Sequence, residues 1–196
     1  MDASTGRVQD WVAELVEIEQ VPALAMRYRA AHAAKQLAFD APWTEAILRA
    51  LETPSYAALA QHEASWISQL LGLSEPEIRR CLDLLDQAGL VRWNGTRYAE
   101  LKPLTVDTRG GKGALHALKA HWARVAAQRA AEPRKGDLFA YNVMSAATAD
   151  LERIRALLGE VYREIRAIVA ASEPPERVAL LNLQLLHWDA AHPLVR

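Results

Sequence analysis

The stretch from Trp66 to Val91 constrains this chain more than any other. It reads Trp-Ile-Ser-Gln-Leu-Leu-Gly-Leu-Ser-Glu-Pro-Glu-Ile-Arg-Arg-Cys-Leu-Asp-Leu-Leu-Asp-Gln-Ala-Gly-Leu-Val. Trp66, Ile67, Leu70 and Leu71 recur at helical spacing and predict a helix from about Ala64 to Leu71. Gly72 stops it, as glycine does just past a helix end. Ser74 with Glu77 three residues later is a capping box, and Pro76 belongs in a first turn. The helix that follows buries Ile78, Cys81, Leu82, Leu85 and Ala88 until Gly89 ends it. The apolar period then changes from helical to alternating. Leu90-Val91-Arg92-Trp93 and Arg97-Tyr98-Ala99-Glu100 become short strands joined by Asn94-Gly95-Thr96. Asn-Gly is the strongest short hairpin signal and predicts a type I′ turn.

The residues before this stretch add helices. Val8 to Val21 carries Trp11, Val12, Leu15, Val16 and Ile18 at helical spacing, and Pro22 opens an alanine-rich helix to about Phe39. Asp40 or Ala41 would cap a third helix with Pro42 in its first turn. Its apolar stripe is Trp43, Ile47, Leu48 and Leu51, and Thr53-Pro54 stops it. Ser55 to Glu63 reads as a loop. Three helices, a tight turn and a hairpin, in that order, define a winged helix-turn-helix over residues 41–104, preceded by a helical segment over residues 1–40.

Lys102 to Gly113 reads as a linker, with Pro103 and a Gly110-Gly111-Lys112-Gly113 cluster that lacks the spacing of a phosphate-binding loop. Beyond it the pattern predicts a helix over Ala114–Ala131, a strand over Leu138–Met144, a long helix over about Thr148–Ala171 and a final strand over Val178–Trp188. Leu151, Ile154, Leu157, Leu158, Val161, Ile165 and Ile168 face inward on the long helix. The fold class expected is therefore mainly α with a small β component. The winged helix is followed, over residues 112–196, by an α+β domain with a long helix and two strands that senses or dimerises.

Charge narrows the function. The net charge is −1. The segment Arg109 to Lys135, however, holds seven basic residues and one acidic one, a local charge of 7 − 1 = +6. A concentrated basic segment in a neutral chain suits an anionic partner; it also suits a solvated helix face. On the second helix of the helix-turn-helix the outward positions are Glu75, Glu77, Arg79, Arg80, Asp83, Asp86 and Gln87. Two basic side chains against four acidic ones make a poor phosphate reader. The hairpin is better supplied, with Arg92, Arg97 and Lys102 around its tip and Asn94 and Thr96 as donors. Candidate DNA-binding residues are therefore Ser74, Arg79, Arg80, Arg92, Asn94, Thr96, Arg97, Arg109 and Lys112. The alternative is a protein-interaction module belonging to a regulator whose DNA reader lies elsewhere.

Other chemistry finds little support. His116 and His121 are five apart, not the four that a helical metal pair prefers, and no cysteine or carboxylate joins them. His187-Trp188-Asp189 and His192 lack a nucleophile motif. Cys81, the single cysteine, falls on an apolar stripe and reads as core. No catalytic residue, metal or cofactor is expected, and the protein is not expected to be an enzyme. The chain is 51% apolar and 24% charged, enough for a real core, yet no apolar run reaches about 18 residues. With no leader of basic-then-apolar order, a cytoplasmic protein is expected, acting with DNA and as a homo-oligomer or with a protein partner, and with no membrane.

Several segments together resemble one family. They are Trp43-Thr-Glu-Ala-Ile-Leu-Arg-Ala-Leu, the helix-turn-helix with Asp83-Leu-Leu-Asp-Gln-Ala-Gly-Leu-Val, the stretch Asn142 to Leu158, and Val178-Ala-Leu-Leu-Asn-Leu-Gln-Leu-Leu. From about Val8 to Trp188 the chain resembles the DUF4423 family of bacterial proteins. The resemblance implies a transcriptional regulator and assigns no catalytic residues. It also implies, in longer members, a Cro-type helix-turn-helix ahead of this region. None is present here, so a fragment or a short form without its main DNA reader is expected.

Overall fold

A computed structural model of the chain describes residues 36–101 and 112–188. The helix expected over Val8–Val21 and most of the one after it lie outside these residues. The described protein is mainly helical, with one small two-stranded antiparallel sheet. It divides into two units. The first ends at His121 and takes in Glu173–Val178; the second comprises Trp122–Ser172 and the residues from Ala179.

Residues 36–40 are helical, and α1 follows at Trp43–Leu51. Neither Asp40 nor Ala41 caps it with a side chain: Pro42 is itself the N-cap. The buried Thr44 hydroxyl instead donates to the Ala41 carbonyl at 2.7 Å. Thr53 then does more than stop α1. Its hydroxyl donates to the Ala50 carbonyl at 2.8 Å and accepts from the Tyr56 N–H at 3.3 Å. That side chain closes one helix and opens the next, the short α2 at Pro54–Ala57, where the sequence pattern predicts a loop. Tyr56 is thereby fixed pointing into the core.

The two helices on either side of Gly72–Ser74 form as their caps require. Helix α3 spans Ala64–Leu71 and ends on Gly72 at φ +76°, whose N–H donates to the Ser68 carbonyl at 2.7 Å. Glycine takes that left-handed conformation without the strain a Cβ would bring. Ser74 caps α4, Glu75–Gln87, by accepting from the Glu77 N–H. Ile78, Cys81, Leu82 and Leu85 are buried at helical spacing. They meet Ile47, Leu48 and Leu51 of α1, Ile67 of α3, Tyr56, Leu73, Leu90 and Val91 in one core. At about 1.5–3 kcal/mol for each large buried side chain, this core dominates the stability of the first unit.

Strands β1 (Val91–Trp93) and β2 (Tyr98–Glu100) pair antiparallel, with Val91 opposite Glu100, Arg92 opposite Ala99 and Trp93 opposite Tyr98. The turn is not the expected type I′. No residue other than glycine has positive φ among the described residues, so Asn94 does not occupy the left-handed region. Gly95 alone does, at φ +97°. The Asn94 N–H donates to the Arg97 carbonyl, while its side-chain oxygen accepts from the N–H groups of Thr96 and Arg97 at 3.0 and 2.9 Å. The hairpin prediction holds; its turn is closed by an asparagine side chain rather than by two left-handed residues.

Helix α5 spans Lys112–Ala131 and α6 spans Thr148–Ala171, close to the expected limits. Two expected strands do not form. Residues 138–144 and 178–188 carry no strand, and no backbone hydrogen bond joins them. Their alternating apolar residues suit a pleated surface, but a strand exists only where a neighbour completes the ladder. Here both segments are open: Leu138 is 91% exposed and Tyr141 94%. The expected inward face of α6 is only partly covered: Leu151, Ile154, Leu158 and Ile165 are half-buried, while Leu157, Val161 and Ile168 are exposed.

Candidate nucleic-acid interface

The expected contact residues fall into two groups, and most already have work within the fold. On α4, Ser74 is engaged as the helix cap. Arg79 lies 3.8 Å from Glu75, one turn back, in an exposed pair of small energetic weight. Arg80 is exposed. Asp83 and Asp86 are exposed on the same helix and lie near enough to Tyr98 to help raise its hydroxyl pKa, after the larger effect of burial. The side of α4 that approaches the hairpin is therefore acidic. Phosphate oxygens brought there would meet like charge.

On the hairpin, Asn94, Thr96 and Arg97 come together in one turn. The Asn94 side chain is engaged in closing it. The Thr96 carbonyl accepts from the His62 N–H at 2.9 Å. The Arg97 guanidinium reaches back to donate to the Ala57 carbonyl at the end of α2. Arg97 thus pins the hairpin to the segment before α3, a structural role that its charge did not reveal in the sequence. Arg92, on β1, remains exposed. Arg109 and the Lys112 side chain lie outside the described residues. Within the basic segment, Lys119, Arg124, Arg134 and Lys135 are exposed. Arg129 is paired at 2.6 Å with Asp137, which also accepts from the Arg134 N–H at 2.8 Å. The Arg129 hydrogen bond, followed by that of Arg134, holds the Asp137 carboxyl below its usual range.

The structure also assembles a cluster that the sequence pattern did not single out. Tyr56, His62, Trp66, Trp93 and Tyr98 pack ring against ring, with centroids 5.2–6.3 Å apart. Such offset and edge-on contacts contribute beyond the area they bury. A hydrogen-bond relay runs through them. The Tyr98 N–H donates to the Tyr56 hydroxyl at 3.2 Å, and that hydroxyl lies 3.0 Å from His62 Nδ1. The hydroxyl accepts from the backbone; with His62 as the neutral Nε2–H tautomer it also donates its own proton to Nδ1, and with the Nδ1–H tautomer it accepts from the ring. Burial lowers the His62 pKa, which favours the neutral ring. Burial also raises that of Tyr56 above the usual phenol range. Trp93, 47% exposed, presents this cluster to solvent beside Arg92. The Trp93–Tyr98 contact follows from the observed hairpin register, in which the two residues stand opposite each other.

Cys81 is buried, and burial raises its thiol pKa, as expected for a core cysteine rather than a reactive one. His121 stacks edge-on against Trp43 at 5.6 Å. Among the described residues, no group of three or more His, Cys, Asp or Glu is placed to hold a metal ion, and no helix is long and apolar enough to cross a membrane.

Residues 30–187 match the family model for the domain of unknown function DUF4423. The chain belongs to that family. No curated protein and no solved structure matches it.

Proposed function

We propose that residues 41–101 are a winged helix-turn-helix and that the protein is a transcriptional regulator, not an enzyme, acting in the cytoplasm. The observation that supports this reading is the order helix, Gly72–Ser74 turn, capped helix and hairpin around a single core. DNA contact falls to Arg80, to Arg92 and to the basic segment Arg109–Lys135, and α4 is not inserted as the main reader, because Asp83 and Asp86 line it. Lys112 and Arg109 belong to that basic segment. Asn94 and Arg97 shape the hairpin with their side chains, and Thr96 does so through its backbone. The residues from 112 onward form the sensing or dimerisation part.

A mobility-shift titration with random-sequence duplex at several salt concentrations tests this. Binding that weakens with salt is expected, and Arg92→Gln should reduce the slope of log affinity on log salt by roughly one. Absence of binding at low salt would overturn the proposal. A second reading has its own support: the acidic α4 face and the half-exposed Trp93 suit a basic protein partner. That reading gains if DNA binding fails while the fold is intact.

A further inference from the structure

The second unit leaves its apolar surface unclosed. Among the described residues from Trp122 to Trp188 none is buried. Phe139, Tyr141, Tyr162 and Trp188 are exposed by between 47% and 94%. At about 200 Å² for each ring, they leave roughly 500 Å² in water. Eleven further large apolar side chains of this unit are exposed, from Leu138 to Leu186. A specific interface removes about 800 Å² from each partner, whereas the largest apolar patch on a typical monomer is roughly 300–600 Å². The four rings alone match the largest patch of a typical monomer, and the eleven further side chains take the exposed apolar area past it.

The pattern on α6 says what covers it. Leu151, Ile154, Leu158, Val161, Ile165 and Ile168 are spaced alternately by three and four residues, which is the heptad seam of helices that pack along their length. Leu157, Tyr162 and Val169 widen the seam on both flanks. Leucine or isoleucine alternating with β-branched residues in this order favours more than two helices in a bundle. The charges of α6 are balanced, with Asp150, Glu152, Glu160 and Glu164 against Arg153, Arg155, Arg163 and Arg166. A balanced helix can pack on a copy of itself without net repulsion, whereas a nucleic acid or an acidic membrane surface would call for a single sign of charge.

We infer that the α6 seam is the self-association surface of this protein, covered by α6 of a second copy. The open segments 138–144 and 179–188 extend the same interface. Closed symmetry between identical patches is the commonest form such an assembly takes. The inference is independent of nucleic-acid binding.

Sedimentation equilibrium of the whole chain at about 1–100 µM tests it. The expected mass is a multiple of the 21.7 kDa protomer. Val161→Glu combined with Ile168→Glu should yield the protomer with its helicity retained, since both side chains are exposed in the single chain. The milder Ile168→Ala should raise the dissociation constant about tenfold or more. Arg163→Glu, off the seam, should leave the mass unchanged. A protomer mass for the unaltered chain throughout that range would overturn the inference. So would a double variant that stays folded and assembled, or an Arg163→Glu variant that dissociates as readily. A monomer that binds DNA removes this interface alone; an oligomer that does not bind DNA removes only the DNA reading.

Discussion

The two units carry comparable apolar patterning and use it differently. In the first, α1, α3, α4 and the hairpin turn their stripes on one another, and twelve residues close a single core. In the second, α6 and the segments around it carry equally regular stripes, yet no described side chain is buried. Amphipathic pattern thus specifies a face, not its partner. Capping and turn chemistry bring the partner of α4 within reach along the chain. Nothing comparable folds residues 138–144 or 178–188 back onto each other.

Core truncation should separate the units most sharply. Leu85→Ala should cost about 2–5 kcal/mol in denaturant unfolding, because its cavity lies amid close packing. Leu157→Ala, at an exposed position of the second unit, should leave the first unit's transition unmoved. Equal losses at both sites would end the distinction. Next comes the aromatic relay. Tyr56→Phe removes the partner of the half-buried Tyr98 N–H and of the His62 ring nitrogen, so a loss of about 1 kcal/mol is expected. A neutral result would show that water replaces the hydroxyl. Ser74→Ala removes the α4 cap and should cost about 1 kcal/mol.

Acid should act in the first unit before the second. His62 has a lowered pKa, so between the folded and unfolded values the unfolded chain binds the extra proton. Its contribution is complete above the unfolded value, about pH 6.5, and declines as pH falls below it. Asp137, with a lowered pKa, contributes above the unfolded carboxylate value near pH 4 and loses that contribution as pH falls through the folded one. Because Asp137 is at the surface, its effect should be the smallest. Thermal melts across pH should show the first decline, and His62→Asn, which keeps an acceptor but does not titrate, should abolish it.

Much of the first unit was legible beforehand because its signals are local. Gly72, the Ser74–Glu77 pair, Gly89 and Asn94-Gly95 each specify backbone geometry within a few residues. Tyr56 was not legible, since its partner Tyr98 lies 42 residues away and Thr53 resembled a simple helix stop. The reach of Arg97 to Ala57 was not legible for the same reason: it is a tertiary contact between residues 40 apart in the chain. The expected strands beyond residue 137 failed because alternation records a preference for pleated surroundings that the single chain does not supply.

Concentration-dependent hydrogen exchange tests the contrast between the units most directly. Amides of α4 should be equally protected at about 1 and about 100 µM, because their core closes within one chain. Amides of α6 should gain protection over the same range as a second copy covers the seam. Protection of α6 that does not change with concentration, in a chain that remains a monomer, would contradict the account.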